Sequence, residues 1–279
     1  MRTRTTAASF ACGFALLLAS GERAPRLLAQ TARPWTLPQG LAVKDTGPRT
    51  YRFTVDYNTA NTKGEVIRRQ RLTGEYTRGL PGGEVMWKNV AQADADGATG
   101  AFPPAQKRDF MEGFRYHNDM ELTFKPDFFK DFPATAVFER NLVWDTGMME
   151  MFGQNYFDRL KLNEPVSFAS DEDVAMPGLG TFRNKNVVLE WIGLSRRNGQ
   201  DCALIDYRAF FNPLSIANGG MTLTGRSDYW GQLWVSLATK QIEYGTIYEN
   251  VQGEMKIPAQ TAPMNISVFR TGKFEPVGK

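Results

Sequence analysis

Seven carboxylates on or near predicted strands are the residues best placed to do chemistry in this chain. They are Glu112, Asp119, Glu190, Asp206, Asp228, Glu243 and Glu249. Two carboxylates about 5–10 Å apart would suit cleavage of a glycosidic bond, and Trp230 could stack on a sugar. The sequence fixes no such pair, and strand carboxylates are usually solvated. A carboxylate-dependent glycan hydrolase is therefore one hypothesis, with no catalytic residue assigned.

Most other chemistries lack the residues they need. His117 is the only histidine, and Cys202 is the only cysteine after the N-terminal segment. A two-histidine zinc site is excluded, and a lone strand cysteine is typical of a small buried residue. The chain also lacks a phosphate-binding glycine loop, a dinucleotide glycine motif and a Gly-x-Ser-x-Gly elbow. We predict no cofactor and no metal, and we favour a non-catalytic protein.

The first 29 residues have the pattern of a bacterial-type export signal. Arg2 and Arg4 precede an apolar run at 10–19, which is too short to span a bilayer. Small residues near Ala19 and Ala29 offer two cleavage sites. No later segment approaches about 20 continuous apolar residues. We expect an exported chain, periplasmic or extracellular, that does not span the membrane after cleavage.

Export also changes the charge balance of the chain. The full sequence has 33 Lys+Arg and 30 Asp+Glu. Cutting after Ala29 removes four arginines and one glutamate, which leaves 29 of each. A nucleic-acid partner and a polybasic membrane patch are therefore not indicated.

The rest of the chain alternates like antiparallel β-sheet. Tyr51, Phe53 and Val55 share one face of a strand, and the same period of two recurs at 65–78, 84–91, 110–117, from 185 onward, and at 265–270. We predict a mainly β (α+β) domain at 49–279, a curved sheet or half-barrel of about nine strands. An extended arm at 30–48 precedes it, and a helical insert near 126–160 interrupts it.

Two hairpins set the predicted register. Asn198-Gly199 is a strong two-residue turn that pairs Ser195 with Cys202, Arg196 with Asp201 and Ile192 with Ile205. A second turn at 239–240 places Trp234 opposite Gly245 and Trp230 opposite Glu249. Each tryptophan has two open interpretations, a ring that covers bare cross-strand backbone or a platform for a ligand.

One segment is predicted to be an amphipathic helix. Met148, Phe152, Tyr156 and Leu160 are spaced four apart in 145–160, with Asp145 or Thr146 as the N-cap. Methionines suit a soft binding groove, although any helix packed on a sheet needs such a face. Our candidate ligand-binding residues are two from this helix and the two tryptophans: Met148, Phe152, Trp230 and Trp234.

The predicted elements follow one another in a particular order: long hairpins at 51–91, a central helix at 145–160 and a further meander at 186–257. In this order of elements the chain resembles the periplasmic lipoprotein-carrier (LolA/LolB-like) half-barrels over most of its mature length. The resemblance implies a curved sheet whose concave side is closed around a hydrophobic ligand. This chain is longer and has no lipobox, and no functional residue can be carried across.

Two further hypotheses stand beside the hydrolase. The first is an exported cell-envelope binding protein for a lipid or other hydrophobic ligand, motivated by an aromatic content of 12% on long strands that can enclose a cavity. The other is a ligand-free module that contacts an envelope protein through sheet edges or the proline-rich arm.

Overall fold

The computed structural model describes residues 36–170, 172–258, 260 and 262–278. Thr36–Lys279 is one compact unit. The predicted export signal lies outside the described residues. Of the predicted arm, residues 36–48 are described: Leu37 joins the hydrophobic core, and the Lys44 amide donates to the Thr239 carbonyl at 2.9 Å. Within the described part, no helix is both long enough and apolar enough to cross a bilayer.

The described residues form thirteen strands and one α-helix, together with short 3₁₀ turns. The helix is α1 (Val137–Glu150), continued by a π-helical turn (Met151–Asn155). The strands are β1 (Arg49–Ala60), β2 (Val66–Arg78), β3 (Glu84–Asp96), β4 (Gln106–Lys107), β5 (Phe114–His117), β6 (Val166–Phe168), β7 (Val174–Met176), β8 (Gly180–Phe182), β9 (Val187–Arg197), β10 (Gln200–Asn218), β11 (Met221–Ser236), β12 (Ile242–Lys256) and β13 (Met264–Pro276).

All the strands belong to one antiparallel sheet, which confirms the predicted fold class. Its main order is β4-β3-β2-β1-β13-β12-β11-β10-β8-β7, with β5 on β3 and with β9 on β10 and β6. The sheet is curved and stays open, since its end strands pair with no further strand among the described residues. The predicted count of about nine strands was too low. β4, β6, β7 and β8 have only two or three residues, too few to show a period.

The predicted hairpin registers are partly wrong, because β9 carries a bulge and because the second turn is centred one residue earlier than predicted, with Val235 paired to Ile242. Arg196 and Ser195 do pair with Asp201 and Cys202 across the Asn198-Gly199 turn, but Ile205 lies opposite Trp191 rather than Ile192. In the next hairpin Trp234 pairs with Tyr244 and Trp230 with Tyr248, one residue away from the prediction. Gly245 lies opposite Leu233 instead. A bulge inserts one unpaired residue and shifts every pair beyond it.

The predicted helix begins at the wrong residue. Instead of starting at Asp145, α1 starts at Val137 and ends at Glu150, so Asp145 lies in its middle and is buried. The apolar period that we assigned to one helix at 145–160 continues through the π-helical turn and a short 3₁₀ turn (Phe157–Arg159).

Three buried carboxylates of α1 are each bound by an arginine from outside the helix. Glu139 Oε1 lies 2.8 Å from Arg108 Nε, Asp145 Oδ2 lies 2.9 Å from Arg270 Nη1, and Glu150 Oε1 lies 2.8 Å from Arg78 Nη1. Arg78 lies on β2 and Arg270 on β13. Removing one partner of such a pair leaves a buried charge uncompensated, so these contacts fix where α1 can sit on the sheet.

Candidate functional site

A cavity of about 180 Å³ lies between α1 and the sheet. Strands β10 to β13 form its floor, while α1 and the short β7–β8 hairpin cover it. Fifteen of the twenty lining residues are apolar or aromatic, and four of those are methionines. The fifteen are Met120, Phe124, Val137, Trp144, Met148, Met151, Val174, Met176, Leu179, Phe182, Leu214, Ile216, Tyr229, Ile247 and Val251.

The concave side of the sheet is filled at one end of the helix and hollow at the other. Phe152, in the π-helical turn, packs its ring 5.3 Å from that of Tyr207. At Gly153 the backbone comes so close to the sheet that an added Cβ would lie 3.2 Å from Val235 and 3.3 Å from Leu233. The cavity begins where Met148 and Trp144 replace this contact. A cavity of about 150 Å³ with apolar walls is large enough to bind benzene.

Asp145, Arg270 and Glu249 form the charged part of the cavity wall. The Arg270 guanidinium donates from Nη1 and Nη2 to the two Asp145 oxygens at 2.9 and 3.1 Å. Its Nε lies 2.9 Å from Glu249 Oε2, an ion pair without a hydrogen bond. The Ser227 hydroxyl donates to the other Glu249 oxygen. Asn141 and Asn184 complete the polar lining.

Two carboxylates share one guanidinium in this triad, and the pKa shifts reflect that imbalance. Burial raises the pKa of Asp145 to about 6; Arg270 opposes this shift, and the Glu249 charge adds to it. Burial alone would lower the pKa of Arg270, but Asp145 and Glu249 hold it well above its usual range. When both carboxylates are ionised, the triad carries one excess negative charge.

We expect the stability difference between Asp145→Asn and the wild type to depend on pH. An unfolded aspartate has a pKa of about 3.9. Because the folded pKa is raised, the stability that Asp145 contributes is present below about pH 4 and is lost as the pH rises through about 6. The Asp145→Asn variant has no carboxyl group at this position and therefore does not lose this stability. The free energy of unfolding of the variant minus that of the wild type should rise by on the order of 2 kcal/mol between pH 4 and pH 7. Urea unfolding at several pH values measures this difference, and a flat difference would contradict the raised pKa.

The four predicted ligand-binding residues are not brought together. Met148 lines the cavity, whereas Phe152 is 1% exposed in the filled part of the core. Trp230 and Trp234 alternate with the inward-facing Tyr229, so they lie on the opposite face of the sheet. There the Trp230 ring stacks on Tyr248 and the Trp234 ring packs against Tyr244. A ligand role for these four residues stays a prediction. Of the four, Met148 alone lines the cavity.

The seven candidate carboxylates are spread over separate contacts. Glu190 and Asp206 face each other across two strands and share Arg208 on the face away from the cavity. The others lie apart from that pair: Glu112 near Lys107, Asp119 in a turn, Asp228 with Arg226, Glu243 with Arg49, and Glu249 in the cavity. The described residues also contain no group of three His, Cys, Asp or Glu placed to hold a metal ion. Cys202 is buried, and burial raises its pKa to about 11.

Sequence reasoning missed Arg270 and the cavity position of Asp145, and it listed Glu249 only as a candidate catalytic acid. A signal for two of them was present. Arg270 shares a strand face with Ile266 and Val268, and Glu249 shares one with Ile247 and Val251. A charged residue on the apolar face of a strand must find a buried partner. Asp145 carried no such signal, because the helix boundary was misplaced.

The fold and the cavity define a class, an open antiparallel sheet with a helix-covered apolar cavity. No protein-family model matches the chain, and no curated protein sequence matches it. Among solved structures, one that describes lipid–protein interactions in lipovitellin is similar at 12% identity and a TM-score of 0.38, over 84% of this chain and 26% of that chain. A DUF1329 family protein from Desulfovibrio piger is similar at 6% identity and a TM-score of 0.15, over 83% and 85%. This chain thus spans about a quarter of the lipovitellin chain, and neither likeness identifies a family or a function.

Proposed function

We propose that this chain is an exported, non-catalytic binding protein of the cell envelope that holds a hydrophobic ligand between α1 and the sheet. The cavity of about 180 Å³, with fifteen apolar lining residues, is the observation that carries the proposal. Apolar cavities with a few polar groups are the usual form of small-molecule sites. Its volume suits a short alkyl chain or a single ring, or one segment of a longer lipid.

The lining also fits a ligand that varies in shape. Met120, Met148, Met151 and Met176 reach the cavity from three separate segments. Methionine side chains are unbranched and polarizable, so they adapt to irregular apolar surfaces. Part of the cover is the β7–β8 hairpin, whose two strands have three residues each. β8 is paired to β10, whereas β7 pairs with β8 alone among the described strands, so β7 is the part of the cover that most readily opens for ligand entry.

Methionine-methyl NMR tests this function directly. The chain labelled with ¹³C-methyl methionine is titrated with hexan-1-ol, and the four lining methionines are assigned by single Met→Leu variants. We expect their signals to shift together while the other methionine signals stay in place. Mass spectrometry of an organic extract of the purified protein then looks for a ligand carried through purification.

Ile216→Trp should weaken hexan-1-ol binding by about tenfold or more. Ile216 is a half-buried cavity residue, and a larger ring there would displace about two methylenes of ligand, each worth about 0.8 kcal/mol. Ile67→Trp is the matched control, since Ile67 is 40% exposed and does not line the cavity. Equal binding by both variants, or no methionine shifts in the wild type, would overturn the proposal.

A further inference from the structure

We infer that the cavity selects hydrophobic ligands carrying a cationic amine over ligands carrying a carboxylate. This inference rests on the proposed function, because it names the head group of the ligand held in that same cavity. It follows from the charges that line the wall, Asp145, Glu249 and Arg270, whose sum is one negative charge.

The single positive charge of the wall is already engaged. Both terminal nitrogens of Arg270 donate hydrogen bonds to Asp145, and its Nε lies in ion-pair contact with Glu249. A ligand carboxylate would bring a third negative charge to one guanidinium. Like charges at short range in a poorly solvated site repel strongly. A carboxylate head group is therefore disfavoured.

The acceptors on the wall retain capacity for an ammonium group. Glu249 receives one hydrogen bond from Ser227 and one ion contact from Arg270, while a carboxylate offers about four lone-pair positions. Its side chain is 15% exposed, compared with 6% for Arg270. Glu249 is thus the more accessible member of the triad, and a bound cation would balance the excess charge.

The other charged residues of α1 do not supply that balance. Glu139 and Glu150 are paired with Arg108 and Arg78. The Arg140 guanidinium lies over the Phe129 ring and against Gly178, and Arg140 is not a cavity residue. Three tyrosines pack near the triad, Tyr57 from β1, Tyr207 from β10 and Tyr229 from β11. Burial raises the pKa of each, so all three are neutral at pH 7.

A matched series of head groups tests the inference: hexylamine, hexan-1-ol and hexanoate, titrated at pH 8 against the labelled chain. We expect hexylamine to bind about tenfold or more tightly than hexan-1-ol, and hexanoate to bind most weakly. Glu249→Gln should remove the amine preference, measured as the ratio of hexylamine to hexan-1-ol affinity within that variant. Glu190→Gln, which loses a salt-bridged glutamate outside the cavity, should keep that preference.

A second measurement needs no variant. As the pH falls from 8 to 5, protonation of Asp145 removes the excess charge, so hexylamine binding should weaken while hexan-1-ol binding stays constant. If hexan-1-ol binds and the amine gains nothing at pH 8, the inference is wrong and the proposed function stands. If no member of the series binds, the proposed function is wrong as well.

Discussion

Arg270→Met is expected to lower the free energy of unfolding by about 3–5 kcal/mol, the usual loss when one partner of a buried ion pair is removed. The Arg270 side chain is 6% exposed and touches two carboxylates, Asp145 and Glu249. Methionine nearly fills the same space, so the loss comes from charge rather than from a cavity. Two neighbouring carboxylates would be left in a poorly solvated site, and one of them would take up a proton. Chemical denaturation at pH 7 measures the effect.

Two companion variants separate charge from packing. Arg68→Met removes the arginine of an exposed pair, with Arg68 55% and Asp94 38% exposed, and should cost about 1 kcal/mol or less. The triple variant Arg270→Met, Asp145→Leu, Glu249→Leu should recover most of the lost stability, because apolar residues often replace a buried ionic cluster without penalty. If the triple variant is no more stable than Arg270→Met alone, the charge explanation is wrong.

The sheet could be predicted from sequence because its signal is local. Tyr51, Phe53 and Val55 are all fully buried, as their alternation requires. The Asn198-Gly199 turn forms with both residues at positive φ, the conformation that the dipeptide favours. Period-two burial runs along most of β1, β2, β9 and β11, so the fold class needed no long-range information.

Register and helix position could not be predicted, because each depends on distant residues. The second turn is centred one residue earlier than Thr239-Lys240, and a bulge in β12 then shifts the pairs beyond Val235, so Trp234 lies opposite Tyr244 and not Gly245. α1 buries Glu139, Asp145 and Glu150, and charged residues at buried positions interrupt the apolar pattern that would reveal the helix. Only their partners Arg78, Arg108 and Arg270, far along the chain, make such burial tolerable.

One of the three ion pairs lies in the wall of the hollow beneath the helix, where Asp145 at the middle of α1 contacts Arg270 of β13. Where Gly153 lets the backbone approach, the interface closes; where Trp144 and Met148 face the sheet, space is left. The sequence contains no residue pattern that predicts the cavity, because the cavity arises where the surfaces of α1 and of the sheet do not fit each other.

Phe152→Ala should lower the free energy of unfolding by about 3–5 kcal/mol. Phe152 is 1% exposed and packs on Tyr207, so alanine leaves a void that the closed interface can refill only in part. Hexan-1-ol affinity should not change, because Phe152 does not line the cavity. Thermal unfolding and methionine-methyl titration of the same sample measure the two quantities.

Phe269→Ala is the matched control on the other face of the sheet. Phe269 is 40% exposed, and its ring lies 6.4 Å from that of Trp230. Its loss should cost about 1 kcal/mol or less and leave ligand affinity unchanged. A folded Phe152→Ala protein that no longer bound hexan-1-ol would restore Phe152 to the ligand site that the sequence predicted. It would also place the ligand deeper along the helix than the observed cavity extends.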